Sequence, residues 1–142
     1  MKYLVIGLMI FSGWRCAQNK VRENADEDRI AADKAAAVFY EGVRTGDLVS
    51  TYPVMSDDFF LYTSKQEYEI AMDNFKSVTG NIIRYELEDW DSNVTAGDNP
   101  TGTYHLNYKV YYDSDTTTET FNLKLENGEV KIIGYKINSK KL

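Results

Sequence analysis

The sequence predicts an α+β domain in which N-terminal helices pack on a curved, four-stranded antiparallel sheet. Apolar residues recur at helical spacing between Ile30 and Val78. After Gly80 the spacing changes to alternation, which is typical of strands with one buried face. Asn127-Gly128 then gives a strong hairpin signal, because a type I′ turn needs two residues with positive φ.

An apolar segment at the N-terminus has the polarity of an export signal. Lys2 gives it a positive start, and Tyr3 to Phe11 form an apolar run of nine residues. That run is too short to cross a bilayer, since a spanning helix needs about 20 residues. We therefore expect residues 1–16 to be a secretory or lipoprotein signal, and the protein to be exported to the periplasm or held at a membrane by its N-terminus.

Cys16 is the only cysteine and directly follows this segment. A cysteine in this position resembles the lipid acceptor of bacterial lipoproteins, so lipidation of Cys16 is one expectation. Cleavage nearby by an ordinary signal peptidase and retention as an uncleaved anchor are the alternatives. Residues 17–23 carry no periodicity and are predicted to be a tether, which leaves residues 24–142 as one domain without an internal disulfide.

The acidic composition excludes several classes of partner. The 142 residues contain 16 Lys and Arg against 22 Asp and Glu, a net charge of −6. Loss of the two positive charges of Lys2 and Arg15 with the signal would change this to −8. Phosphates would be repelled, so we expect no nucleic-acid partner, and membrane contact only through the N-terminus.

Capping residues divide the first half of the domain into helices. Asn24 is the predicted N-cap of the first helix, and Gly46 is its predicted C-terminal stop. A short helix is expected after Asp47, and Phe59–Tyr62 is predicted to be a short strand. Ser64 begins a capping box, so a further helix should start there.

The second half contains four segments of alternating polarity. They lie around residues 83–88, 104–112, 120–125 and 130–137. The stretch 91–102 contains a Pro and two Gly residues and is predicted to be a loop. Alternation slips by one residue at Ile132-Ile133-Gly134, which predicts a β-bulge that bends the last strand.

The chain also resembles a known fold family. The segments that carry the resemblance are Thr63-Ser64 to Phe75, Gly80 with the strand of Arg84, Gly102-Thr103-Tyr104, Tyr108-Lys109-Val110, Glu119-Thr120-Phe121 and Gly128 to Ile137. Together they are similar to the nuclear transport factor 2-like fold, in particular to small exported bacterial proteins of that class with unassigned function. A cystatin-like helix-on-sheet arrangement is the alternative topology. The resemblance implies a concave pocket and no single activity, because such a fold hosts isomerases, dehydratases, hydrolases and binding modules.

Two carboxylates are candidates for acid–base chemistry. Strand alternation predicts that Asp89 and Glu119 face the apolar inner side of the sheet. Burial there raises the pKa of a carboxyl group, and a raised pKa suits the group to act as a general acid or base. Alternatively, a bulge shifts the register so that Trp90 turns inward and Asp89 outward. Hydroxyl donors in the same pocket are expected from three tyrosines: Tyr85, Tyr108 and Tyr112.

The inventory of ligand-type residues argues against metal and cofactor chemistry. His105 is the only histidine, and alternation places it on the outer side of the sheet. The segment 113–119 is rich in Asp and Thr but lacks the glycine and the ligand spacing of a calcium loop. We expect no metal and no cofactor.

These observations favour a binding or interaction domain that recognises a small ligand or another envelope protein. One alternative is a small pocket enzyme, isomerase- or dehydratase-like, in which Asp89 or Glu119 is the general base. A second alternative is an inhibitor or immunity-type protein with one protein partner. The sheet face would also be able to support a homodimer, which is common in folds of this kind.

Overall fold

The computed structural model describes residues 20–142, and the predicted signal, including Cys16, lies outside them. Nine elements follow one another: β1 (Lys20–Glu23), α1 (Asp26–Thr45), a 3-10 helix (Leu48–Val54), α2 (Phe59–Tyr62), α3 (Lys65–Thr79), β2 (Ile82–Ala96), β3 (Thr101–Tyr112), β4 (Thr116–Glu126) and β5 (Glu129–Asn138). The strands form one antiparallel sheet in chain order. Within the described residues, no helix is both long enough and apolar enough to cross a membrane.

The sheet has five strands instead of the predicted four, because part of the expected tether forms β1. Lys20 lies opposite Ala96 and Glu23 lies opposite Asn93 at the edge of β2. The β1 side chains are exposed or half-exposed, so this pairing depends on the backbone and leaves no hydrophobic pattern in the sequence.

The long β2–β3 hairpin replaces the loop predicted over residues 91–102. Its ladder continues to the pair Thr95–Thr101, so that only residues 97–100 connect the strands. The prediction was wrong because polar residues that favour turns occupy the exposed face of this stretch, whereas Val94 on the other face is buried.

The helices differ from the prediction at two points. Ala25 is the N-cap of α1, while the Asn24 side chain accepts a 2.9 Å hydrogen bond from the backbone N–H of Ser92 in β2. Phe59–Tyr62 forms one helical turn instead of a strand, since a run of four apolar residues carries no period that separates the two. The capping box at Ser64 is confirmed.

The predicted bulge in the last strand is confirmed at Ile133. On one side of it Asn122 lies opposite Gly134. On the other side Leu123 lies opposite Ile132, so that Ile133 is the extra residue. The bulge bends β5 and contributes to the curvature of the sheet.

α1 lies on the inner face of the sheet and fills the space beneath it with aromatic rings. The ring of Phe39 meets that of Phe121 edge-on at 5.2 Å, and the ring of Tyr40 meets that of Tyr108 at 5.4 Å. Each of these four side chains is at most 1% exposed. The sheet beneath α1 is therefore packed with aromatic rings.

Candidate functional site

A carboxylate surrounded by hydroxyl groups lies inside this core. Glu119 is 0% exposed. Its Oε2 accepts hydrogen bonds from the Tyr112 hydroxyl at 2.7 Å and the Thr117 hydroxyl at 2.6 Å. Its Oε1 accepts from the Tyr40 hydroxyl at 3.3 Å and from the Tyr135 hydroxyl. We call these five residues the Glu119 cluster.

Four elements bring the cluster together. Thr117 and Glu119 are two residues apart on β4, so both point to the inner face. Tyr112 comes from the end of β3 and Tyr135 from β5, the strands on either side of β4. Tyr40 reaches down from α1, which places the carboxylate between the helix and the sheet.

Burial without a cationic partner determines the electrostatics of the cluster. Among residues 20–142, no Lys or Arg forms an ion pair with Glu119. Desolvation raises the pKa of Glu119, and the four hydroxyl hydrogen bonds oppose this shift in part. Burial, together with the negative charge of Glu119, raises the pKa of Tyr40, Tyr112 and Tyr135, so these phenols keep their protons as hydrogen-bond donors.

An apolar groove lies beside the cluster, between α3 and β5. It has a volume of about 390 Å³, and in the part of the chain that the structure describes no lining residue has an ionisable side chain other than tyrosine. We call it the α3–β5 groove. The residues that line it are Phe59, Thr63, Tyr68, Ala71, Met72, Asn74, Phe75, Val78, Tyr135, Ile137 and Leu142.

Three lining residues connect this groove to the cluster. Tyr135 lines the groove and donates its hydroxyl hydrogen to Glu119. Phe75 lines the groove and packs edge-on against the Tyr112 ring at 5.1 Å. Ile137 lines the groove and lies directly opposite Glu119 in the β4–β5 ladder. The carboxylate therefore lies one side chain away from the groove.

A second groove of about 390 Å³ runs along α1 and differs in chemistry. Ile30 and Val38, which are 47% and 41% exposed, contribute apolar surface to it. Glu27, Lys34 and Glu129 place both signs of charge along its walls. We call it the α1 groove, and it has no member of the Glu119 cluster in its lining.

The two predicted carboxylates have different positions in the structure. The inward orientation of Glu119 is confirmed by its complete burial. The inward orientation of Asp89 is wrong, and the bulged alternative is confirmed. Leu87 lies opposite Tyr108 and Asp89 opposite Asn107, so Glu88 is an extra bulge residue and the alternation shifts by one. As a result Asp89 is exposed and Trp90 packs against the core.

The three predicted pocket tyrosines do not line the α3–β5 groove. Tyr112 belongs to the Glu119 cluster. Tyr108 is 1% exposed and donates its hydroxyl hydrogen to Asp33 of α1. Tyr85 is 38% exposed and stacks on Tyr40 with 4.4 Å between ring centroids.

Sequence reasoning missed three members of the cluster. Thr117 was detectable, because it shares the strand face of Glu119 at a spacing of two. Tyr135 was also detectable by counting back through the predicted bulge in β5. Tyr40 had no such signal, since helical periodicity alone does not show which strand a helix residue will meet.

The remaining polar motifs lie on the surface. His105 is on the outer face of the sheet, as predicted, where its Nδ1 is 2.7 Å from Oδ1 of Asn122. Asp113 in the β3–β4 turn accepts a hydrogen bond from the backbone N–H of Asn81 at 2.7 Å. In residues 20–142, no group of three or more His, Cys, Asp or Glu side chains is placed to hold a metal ion.

Comparison with known proteins supports the fold. No protein family model matches the chain, and no curated protein matches it. A solved structure with a similar fold is a protein of unknown function with a cystatin-like fold from Nostoc punctiforme, with a TM-score of 0.53. The two chains are 12% identical, and the match covers 82% of this chain and 93% of that chain. At this identity the likeness shows the fold alone, and it supports the cystatin-like, nuclear transport factor 2-like α+β class predicted from the sequence.

Proposed function

We propose that this domain binds a small, mainly apolar molecule in the α3–β5 groove. The observation that carries the proposal is an apolar groove of about 390 Å³ next to the Glu119 cluster. Pockets for small ligands are typically concave and about 300–1,000 Å³ in volume, with apolar walls and a few polar groups that fix orientation.

The walls of the groove suit such a ligand. Val78 and Leu142, which are 42% and 68% exposed, offer apolar surface to a ligand, and the half-buried Phe59 adds an aromatic ring. Thr63 and Asn74 add polar atoms to the lining. A ligand bound here would remove apolar surface from water, which is the main source of affinity for molecules of this kind.

Binding of the neutral dye N-phenylnaphthylamine tests this proposal, because its fluorescence rises in apolar surroundings. We expect saturable binding to the wild-type protein. Ala71→Trp fills the α3–β5 groove and should weaken binding at least about ten-fold, which corresponds to 1.4 kcal/mol. Ala31→Trp, a matched change in the α1 groove, should leave it unchanged. No saturable binding, or loss only in Ala31→Trp, would overturn the proposal.

A second candidate function is acid–base catalysis through Glu119. The buried carboxyl with a raised pKa favours it, since general acids and bases are commonly tuned in this way. A molecule in the groove would meet Tyr135 before Glu119. Any proton that passes from this molecule to Glu119 would therefore pass through the Tyr135 hydroxyl, which would accept one proton and give its own to the carboxylate. A carboxyl pKa of about 6 or above, measured by NMR titration, would favour the enzyme; an ordinary value would remove its acid–base group.

We also propose that the domain works outside the cytoplasm, where residues 1–16 direct it. The apolar run from Tyr3 to Phe11 and the cysteine that follows support this location. Mass spectrometry of the membrane fraction, with wild-type and Cys16→Ser proteins side by side, tests the lipid anchor. A diacylglyceryl mass on the wild type alone is expected, and an unmodified Cys16 in an exported wild-type protein would rule the anchor out.

A further inference from the structure

Glu119 is a buried carboxylate beside the α3–β5 groove. Among residues 20–142, none of the side chains that line the groove is acidic or basic. Glu119 lies one side chain below them, 0% exposed and without an ion-pair partner among residues 20–142. A charge in such a site acts more strongly on a bound ligand than an exposed charge does, because little water screens it.

Hydrogen-bond directions in the cluster also limit what a ligand can do there. An ionised carboxylate only accepts hydrogen bonds, and its two oxygens offer about four acceptor positions. Four hydroxyl groups fill them, each with its own proton. Tyr135, which also lines the groove, then has only oxygen lone pairs left to offer. A polar group that meets this hydroxyl must therefore donate a hydrogen bond.

From these two observations we propose that the α3–β5 groove selects apolar molecules that carry a protonated amine, and discriminates against those that carry a carboxylate. This inference rests on the proposed binding function of the groove. An ammonium group satisfies both conditions, since it is a cation and has three hydrogen-bond donors. An alcohol can donate a hydrogen bond but carries no positive charge. A carboxylate has neither a positive charge nor a hydrogen to donate.

The position of the carboxylate allows this selection. Glu119 and Ile137 are directly opposed on neighbouring strands, and opposed residues have Cβ atoms about 5 Å apart. Tyr135 bridges from the same wall to Oε1 of the carboxylate. A head group at the inner end of the groove would lie within a few side-chain bonds of the charge, with the Tyr135 side chain between them.

Three ligands with the same chain test the proposal: octylamine, octanol and octanoate. Each displaces N-phenylnaphthylamine from the full-length protein near pH 8, where the amine is protonated and the acid is ionised. We expect octylammonium to bind about ten-fold tighter than octanoate, with octanol between them. Glu119→Gln keeps the shape of the side chain and removes its charge. In this variant the ratio of the octylammonium affinity to the octanoate affinity should fall towards one.

Two controls separate the buried charge from the general acidity of the protein. Asp73→Asn removes one exposed carboxylate from α3 and should leave the ratio unchanged. Wild-type protein in about 1 M salt, where the Debye length is about 3 Å, should keep most of its preference, because salt screens exposed charges and not buried ones. If Glu119→Gln does not fold, the high-salt measurement on the wild-type protein tests the role of the buried charge instead.

The outcomes distinguish this inference from the function on which it rests. Equal affinities for octylammonium and octanoate, tighter binding of octanoate, or a preference that vanishes in high salt would overturn the selection while leaving groove binding in place. A preference that persists unchanged in folded Glu119→Gln would also overturn it. If none of the three ligands displaces the dye, or if the dye does not bind, the proposed function falls as well.

Discussion

Glu119 and Ile137 are cross-strand neighbours in the β4–β5 ladder, yet one is a fully buried carboxylate and the other lines an open apolar groove. Their pairing puts a carboxylate that has no cationic partner among residues 20–142 directly beneath a surface that is suited to small apolar molecules. Because a buried charge is costly unless it is hydrogen-bonded, the four hydroxyl donors around Glu119 are a condition of stability for this arrangement.

The stability of the protein should depend on pH through Glu119. Burial raises the folded-state pKa of this carboxyl above its usual 4.5. A raised pKa means that the stabilising contribution is fully present below pH 4.5 and is lost as the pH rises through the folded-state pKa. Relative to Glu119→Gln, the wild type should therefore lose up to about 1.4 kcal/mol per pH unit across this window. Urea denaturation at a series of pH values measures it. A difference that is flat, or that favours the wild type as pH rises, would contradict the assignment.

Tyr135 should contribute to stability through its hydroxyl group. Tyr135→Phe removes one donor from the buried carboxylate and should cost about 1–3 kcal/mol of unfolding free energy. Tyr62→Phe is the matched control, since Tyr62 is 92% exposed, and it should change stability by less than about 0.5 kcal/mol. Chemical denaturation of both variants measures the two effects. Equal effects of the two substitutions would mean that the hydrogen bond to Glu119 contributes nothing.

Phe121 should be among the most sensitive core positions. Its ring is 0% exposed and lies 4.9 Å from the Tyr135 ring and 5.2 Å from the Phe39 ring. Phe121→Ala should cost about 3–5 kcal/mol, because it removes buried apolar area and leaves a cavity. Leu61→Ala on the 73% exposed tip of α2 should have little effect. Thermal or urea unfolding compares them, and a mild effect at Phe121 would show that the centre of the fold is loosely packed.

Asp89 should be tolerant to substitution although its sequence pattern resembles that of Glu119. The bulge at Glu88 turns Asp89 outward, so Asp89→Asn should change stability by less than about 0.5 kcal/mol. Urea denaturation of this variant beside Glu119→Gln gives the comparison. A loss of several kcal/mol in Asp89→Asn would mean that this side chain is buried and would contradict the register of β2.

Several sequence patterns that depend on local chemistry were reliable, although the N-cap predicted at Asn24 was not. The capping box at Ser64, the Asn127-Gly128 turn and the bulge at Ile133 could be predicted because each depends on a few neighbouring residues. The strand β1 could not, since its pairing uses only backbone groups and its side chains face water. The bulge at Glu88 in β2 could not be predicted either, because it has no Gly or repeated apolar residue to mark it.

The candidate site was also predictable only where the strand is regular. Alternation from Phe121 correctly placed Glu119 inside, because the intervening strand is regular. The same reasoning failed for Asp89, where an irregular strand intervenes. The α3–β5 groove depends on how a helix is placed against the far edge of the sheet, and that placement is decided by long-range packing which no local pattern encodes.

An amide chemical-shift titration of the isotopically labelled protein with octylamine maps the ligand site residue by residue. We expect saturable shifts concentrated in α3 and in β5 around Tyr135 and Ile137, with the α1 groove residues Ile30 and Val38 unmoved. Shifts centred on α1, or no saturable shifts, would contradict a ligand site between α3 and β5.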